Sequence, residues 1–168
     1  FVNFVKDICH VVINDNPADV EALLNCKYPN SNLTVAETLP EKVMSIGENL
    51  QIRRFVRYAE NTSVAYVHAG GKIGVLVNLA VEGGIDATAI GKDVAMQIAA
   101  LNPRFWDKSD VTEDVLAEEK KIALALMDQD PKMASKPQQV KEKIVMGKMN
   151  KFYEENCLLQ QEFVKDNS

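Results

Sequence analysis

The chain has 168 residues, enough for one or two compact units with a sizeable core. Its apolar fraction of 46% and charged fraction of 26% are those of an ordinary soluble globular protein, and no apolar run is long enough to span a bilayer. A net charge of −5 and a pI near 5.1 exclude the overall basic balance of a nucleic-acid surface.

The chain opens at Phe1 rather than Met, inside a helical pattern that predicts an excised fragment. Charge interrupts the apolar residues of Phe1-Val-Asn-Phe-Val-Lys-Asp, unlike a signal peptide. Phe1, Phe4, Val5, Ile8, Val11 and Val12 fall on one helical face up to Asn14. Asn16-Pro17-Ala-Asp19 predicts the start of a short second helix, with Asn16 as N-cap and Pro17 at its first position. Tyr28 to Asn32 is a loop by its turn residues. Thr34-Val-Ala-Glu37 is a capping box that opens a third helix, and Pro40 either restarts that helix or kinks it. Ile46-Gly47 is its stop, with glycine just past the end.

From Leu50 to Glu60 the period changes towards alternation, which predicts a strand, although Phe55 breaks the pattern. Val64–His68 and Ile73–Val81 predict two more strands, joined by the glycine turn Ala69-Gly-Gly-Lys72. The meander order predicts an antiparallel sheet with one face covered by helix, an α+β class. Ala87 to Leu101 is the next helix, with Ile90, Val94, Ile98 and Leu101 as its apolar stripe, and Asn102-Pro103 stops it.

Two long helices follow, from Thr112 to about Gln129 and from Lys136-Pro137 to about Asn156. Their short connection makes them an antiparallel hairpin, each arm about 25 to 30 Å long. Val115, Ile122 and Leu126 on the first arm would face Val140, Ile144, Val145, Met149 and Phe152 on the second. Acidic residues dominate the first arm and lysines the second, which sets register more than stability. The narrow seam predicts a protruding, coiled-coil-like arm.

Little in the chain suggests chemistry. Cys9, Cys26 and Cys157 are widely spaced with no CxxC pair, a pattern of reduced cytosolic thiols rather than a zinc site. Gly70-Gly71-x-x-Gly74 with Lys72 loosely evokes a phosphate loop, but such loops need a helix N-terminus next, and here a strand follows. His68 has neither a nucleophile nor metal-ligand partners in the pattern, and the other histidine, His10, sits on the first helix. Glu118 and Glu119 diverge by about 100° on a helix and read as a solvated face. The six methionines read as core filler, while Phe105-Trp106 is either a cap over a helix end or a contact site. These readings predict no catalytic residue, no metal and no cofactor, and they point to a protein-binding module whose polar atoms sit at a hairpin tip. Two other readings remain from the residues alone. One is a coiled-coil scaffold; the other is an enzyme in which a histidine meets an acid and a nucleophile.

Several strings, in this order, match one family. They are Ile46-Gly-Glu-Asn-Leu-Gln-Ile-Arg-Arg54, Tyr66-Val-His-Ala-Gly-Gly-Lys-Ile-Gly-Val-Leu-Val77 and Asp93-Val-Ala-Met-Gln-Ile-Ala-Ala100, then Lys136-Pro137, Glu142-Lys-Ile-Val145, Gly147-Lys-Met-Asn-Lys-Phe152, Cys157-Leu-Leu159 and Phe163-Val-Lys-Asp166. The chain resembles the elongation factor Ts family, end to end. The resemblance implies part of a two-lobed α+β dimerisation region. Residues 1–49 would lead out of the first lobe, and 50–168 would form the second, with the helical hairpin inserted at about 112–156. It implies a guanine nucleotide exchange factor that binds elongation factor Tu, GDP-loaded or nucleotide-free, in the cytoplasm, and releases GDP by protein–protein contact without covalent chemistry. It places Ile46 and Gly47, and His68 with Gly70 and Gly71, at the partner contact, and gives the helical hairpin a further one. A truncated sheet edge favours self-association into a homodimer.

Departures from the family pattern carry their own expectations. The chain starts just downstream of a Thr-Asp-Phe-Val motif whose phenylalanine wedges near the partner's magnesium site. It stops before the family's last helix and closing strand. A fragment of this kind would bind but exchange poorly. Ala69 stands where the family has glycine and Lys72 where it has arginine, both expected to be mild, and Pro40 interrupts a helix.

Overall fold

The computed structural model describes residues 1–166. The chain divides into two compact units, Phe1–Glu60 and Asn61–Ser168. The class is α+β: helices accompany a two-stranded antiparallel sheet.

The first unit holds α1 (Val2–Asp15), α2 (Val20–Asn25) and α3 (Val35–Ile46). Phe4, Ile8, Val11 and Val12 of α1 meet Leu23 of α2, Val35 of α3 and the loop residue Tyr28 in one core. Leu23 and Val35 are wholly buried at its centre. Phe1 and Val5, expected on this face, are exposed, because the core is reached only by the narrower stripe through Phe4 and Ile8. The short second helix begins later than the sequence suggested. Asn16 closes α1 in a left-handed conformation (φ 47°), and Asp19 is the N-cap of α2, accepting the Ala22 N–H at 2.8 Å. The capping box forms as predicted: Thr34 Oγ1 accepts from Glu37 N–H at 3.2 Å, and Glu37 Oε2 accepts from Thr34 N–H at 2.8 Å. α3 continues through Pro40 rather than restarting there.

Residues 50–60 form no strand. Leu50, Ile52 and Phe55 pack against the first core, at spacings of two and then three, so the segment does not hold the strict alternation that a ladder needs. Among the described residues no backbone hydrogen bond joins it to a partner strand.

The second unit opens with β1 (Thr62–His68) and β2 (Ile73–Leu79), antiparallel and in register from Thr62 opposite Leu79 to His68 opposite Ile73. Val64 and Val77 face each other and are buried beneath α4 (Thr88–Leu101). The opposite face, with Ala65, Val67 and Leu76, is exposed. α4 uses its predicted stripe only in part: Val94 and Ile98 are half-buried. Ile90 and Leu101 point outward, and Gly91, Ala95 and Gln97 are the buried positions. The cause is close approach: a Cβ on Gly91 would lie 2.5 Å from Val64 Cγ2 and 3.0 Å from Val64 Cβ. Gln97 fastens the C-terminal segment to α4. Its Nε2 donates to the Glu162 carbonyl at 3.0 Å and to Gln161 Oε1 at 3.2 Å, and its Oε1 accepts from Val164 N–H at 2.9 Å.

The helical hairpin consists of α5 (Glu113–Gln129), a single-turn α6 (Pro131–Ala134) and α7 (Gln138–Asn156). Lys141, near the start of α7, pairs with Asp128, near the end of α5, at 2.9 Å. Phe152 near the other end of α7 packs with Val111 and Val115, so the arms are antiparallel. Ala123 and Met127 of α5 and Val145 and Met149 of α7 form the seam. Ile122, Leu126 and Val140, expected there, are exposed. Residues 122–127 are all apolar, so the pattern leaves the phase of α5 open; the close approach allowed by Ala123 and the reach of Met127 set it. Phe105 caps the end of the hairpin against Phe152 and pairs with Cys157, whereas Trp106 is exposed. Among the described residues no helix is long and apolar enough to cross a membrane.

Candidate partner interface

Two places gather the residues that the sequence singled out, one in each unit. The first is the end of α3. Ile46 is its last residue, half-buried, and Gly47 closes it at φ 77°, its N–H donating to the Val43 carbonyl at 2.9 Å. Nothing lies within 4 Å of where a Gly47 Cβ would stand, so the left-handed backbone, not space, requires glycine here. Met44, read as core filler, is 85% exposed two residues earlier. An apolar helix end with a bare thioether beside it is an exposed apolar patch that the methionine pattern could not reveal, because Met occurs equally in cores and on exposed faces.

The second place is the tip between β1 and β2. His68 ends β1 and is exposed. Ala69, Gly70 and Gly71 follow at φ 50°, 65° and 98°, three consecutive left-handed residues. β2 begins two residues later, so the turn has a strand behind it and no helix N-terminus to supply phosphate-binding N–H groups. Ala69 is not the mild change expected from sequence: an L residue with a Cβ holds a backbone that glycine adopts freely, at a cost of roughly 1–2 kcal/mol. Tyr66, which sequence reasoning passed over, places its Oη 2.9 Å from His68 Nδ1. The two-residue repeat of a strand was the available signal, since it puts Tyr66 and His68 on one face.

Neither place carries reactive groups. Burial pushes the Cys26 and Cys157 thiols up, away from thiolate chemistry, and Cys9 is an exposed lone cysteine on α1. Among the described residues no group of three or more His, Cys, Asp or Glu side chains is placed to hold a metal ion. Glu118 and Glu119 go to different cations, Lys121 at 3.4 Å and Arg104 at 3.5 Å. Asp107 is held down to about 2 by the Ser109 N–H and by Gln160, in a capping turn that ties the entry of α5 to the segment after α7.

The sequence profile of the family described as Elongation factor TS matches residues 1–168. This chain belongs to the elongation factor Ts family. Among curated relatives named Elongation factor Ts, that of Syntrophotalea carbinolica is 39% identical over 170 residues, covering 99% of this chain and 55% of that protein. That of Trichlorobacter lovleyi is 40% identical over 174 residues, again 99% of this chain and 55% of the relative. That of Clostridium perfringens strain SM101 is 41% identical over 171 residues, 99% of this chain and 54% of the relative. The chain therefore spans about 55% of the length of these elongation factor Ts proteins.

Proposed function

We propose that this chain is a docking portion of a guanine nucleotide exchange factor for elongation factor Tu. It works by protein–protein contact and contributes no covalent chemistry. The observation that carries this reading is the match to the elongation factor Ts family along residues 1–168, which takes in both exposed places described above. Ile46 with Gly47, and His68 with Gly70 and Gly71, are the proposed partner contacts. The first offers an apolar residue at a glycine-closed helix end; the second offers a polar ring beside a narrow, side-chain-poor turn. Such features suit recognition, where a close backbone approach matters more than reactivity.

Exchange is a coupling between two bound molecules, and each weakens the other's hold by the same factor. A coupling of ~1–3 kcal/mol corresponds to ~5- to 150-fold. In the family the wedging phenylalanine belongs to a motif upstream of the stretch matched here. This chain alone is therefore proposed to bind elongation factor Tu and to accelerate GDP release only weakly. A pull-down against elongation factor Tu, with and without GDP, followed by release of a fluorescent GDP, tests both parts. Retention with slow release is expected. No retention in either nucleotide state overturns the docking role, and release as fast as that of a full-length family member overturns the need for the family's upstream motif.

A further inference from the structure

His68 does not stand free at its tip. Tyr66 lies on the same face of β1, and its Oη is 2.9 Å from His68 Nδ1, with ring centroids 5.8 Å apart and tilted by 32°. The backbone beneath the pair is held by the ladder, with Tyr66 opposite Val75 and His68 opposite Ile73. No other side-chain hydrogen bond to the imidazole is formed among the described residues. In a neutral imidazole one nitrogen donates and the other accepts, and the partner of one nitrogen decides the role of the other. A phenol hydroxyl is a better donor than acceptor, and a bare imidazole nitrogen is the strongest neutral acceptor among side chains. The bond therefore runs from the Tyr66 hydroxyl to Nδ1, and the ring proton sits on Nε2, on the far side of the ring.

We propose that Tyr66 is a positioning residue: it fixes His68 as the Nε2–H tautomer and presents that N–H as a donor to an oxygen acceptor on the docking partner. The inference rests on the docking role proposed for His68 and adds its polarity. A protonated ring keeps the same outward donor, since Nδ1–H then donates to the Tyr66 oxygen and Nε2–H is unchanged. A partner group that only donates, such as a lysine ammonium, is refused at this point.

Two measurements test this. The ¹⁵N resonances of the His68 ring, read in the free chain at mildly alkaline pH, should show Nδ1 bare and Nε2 protonated. In Tyr66→Phe they should move towards the tautomer average of free histidine, with the amide spectrum of β1 and β2 otherwise retained. A protonated Nδ1, or identical ring resonances in the variant, overturns the proposal. In binding to elongation factor Tu, Tyr66→Phe should weaken affinity about 2- to 10-fold, the range of one lost hydrogen bond. The double variant with His68→Ala should bind no worse than His68→Ala alone. If His68→Ala weakens binding and Tyr66→Phe does not, the positioning role is overturned while the docking role stands. If the wild-type chain binds no elongation factor Tu, the docking role falls and takes the donor role with it.

Discussion

Ala69 shows how a single methyl group is felt where the backbone turns left-handed. Its φ of 50° is followed by two glycines that hold positive φ at no steric cost, so only Ala69 carries strain in the tip. Ala69→Gly is expected to stabilise the chain by ~0.5–1 kcal/mol, somewhat less than the strain removed because glycine adds freedom to the unfolded chain. For a chain of this size the melting temperature should rise by ~1–4 °C in a thermal scan. An unchanged or lower value would show that the tip relaxes elsewhere to accommodate alanine. Reading the turn as glycine-rich identified the hairpin correctly. It did not reveal which of its residues leave the usual φ range, because that depends on the loop length set by the register of His68 opposite Ile73.

At the scale of an element, the helical hairpin separates residues that periodicity treats alike. Leu126 and Met127 are neighbours of similar size, yet Leu126 is 55% exposed and Met127 only 3%. Met127→Ala should cost ~2–4 kcal/mol, since it empties the seam against Val145 and Met149. Leu126→Ala should cost no more than ~0.5 kcal/mol. Urea unfolding of the two variants decides the matter, and equal losses would mean that the seam is not where these contacts place it. The existence and limits of the two arms were legible, from Thr112 as the start of the first and Lys136-Pro137 as the start of the second. The phase of α5 was not, because six consecutive apolar residues give no polar face to count from. The same limit applied to α4, whose inward face is marked by small residues rather than by large ones. It also applied to residues 50–60, where near-alternation came from packing on helices instead of from pairing.

Across the whole chain, stability responds to pH through groups that fold into place. Burial and the hydrogen bond from Tyr28 to Asp7, at 2.5 Å, push the Tyr28 hydroxyl up to about 12. The protonated phenol is the form favoured by the fold. Its contribution is complete below the ordinary tyrosine value near 10 and is lost as pH rises through about 12. Between those limits the wild-type chain should lose resistance to urea, and Tyr28→Phe should flatten that loss; a variant as alkali-sensitive as the wild type would assign the loss to other groups. None of this could be read from the sequence, in which Asp7 and Tyr28 lie 21 residues apart. The order of helices, the hairpin and the family strings could be read, and they carried the functional reading further than any candidate site did.

The contact of Gly91 with Val64 has a consequence for how the tip keeps its form. A two-stranded ribbon is at best marginal in water, and here the opposite face of the ribbon is bare. α4 braces its other face, seated so closely that even a methyl group on Gly91 would meet Val64. Ribbon and brace must gain and lose order as one cooperative block. The imidazole at the far end is thus kept in place in part by a helix seated against Val64, four residues back along the strand.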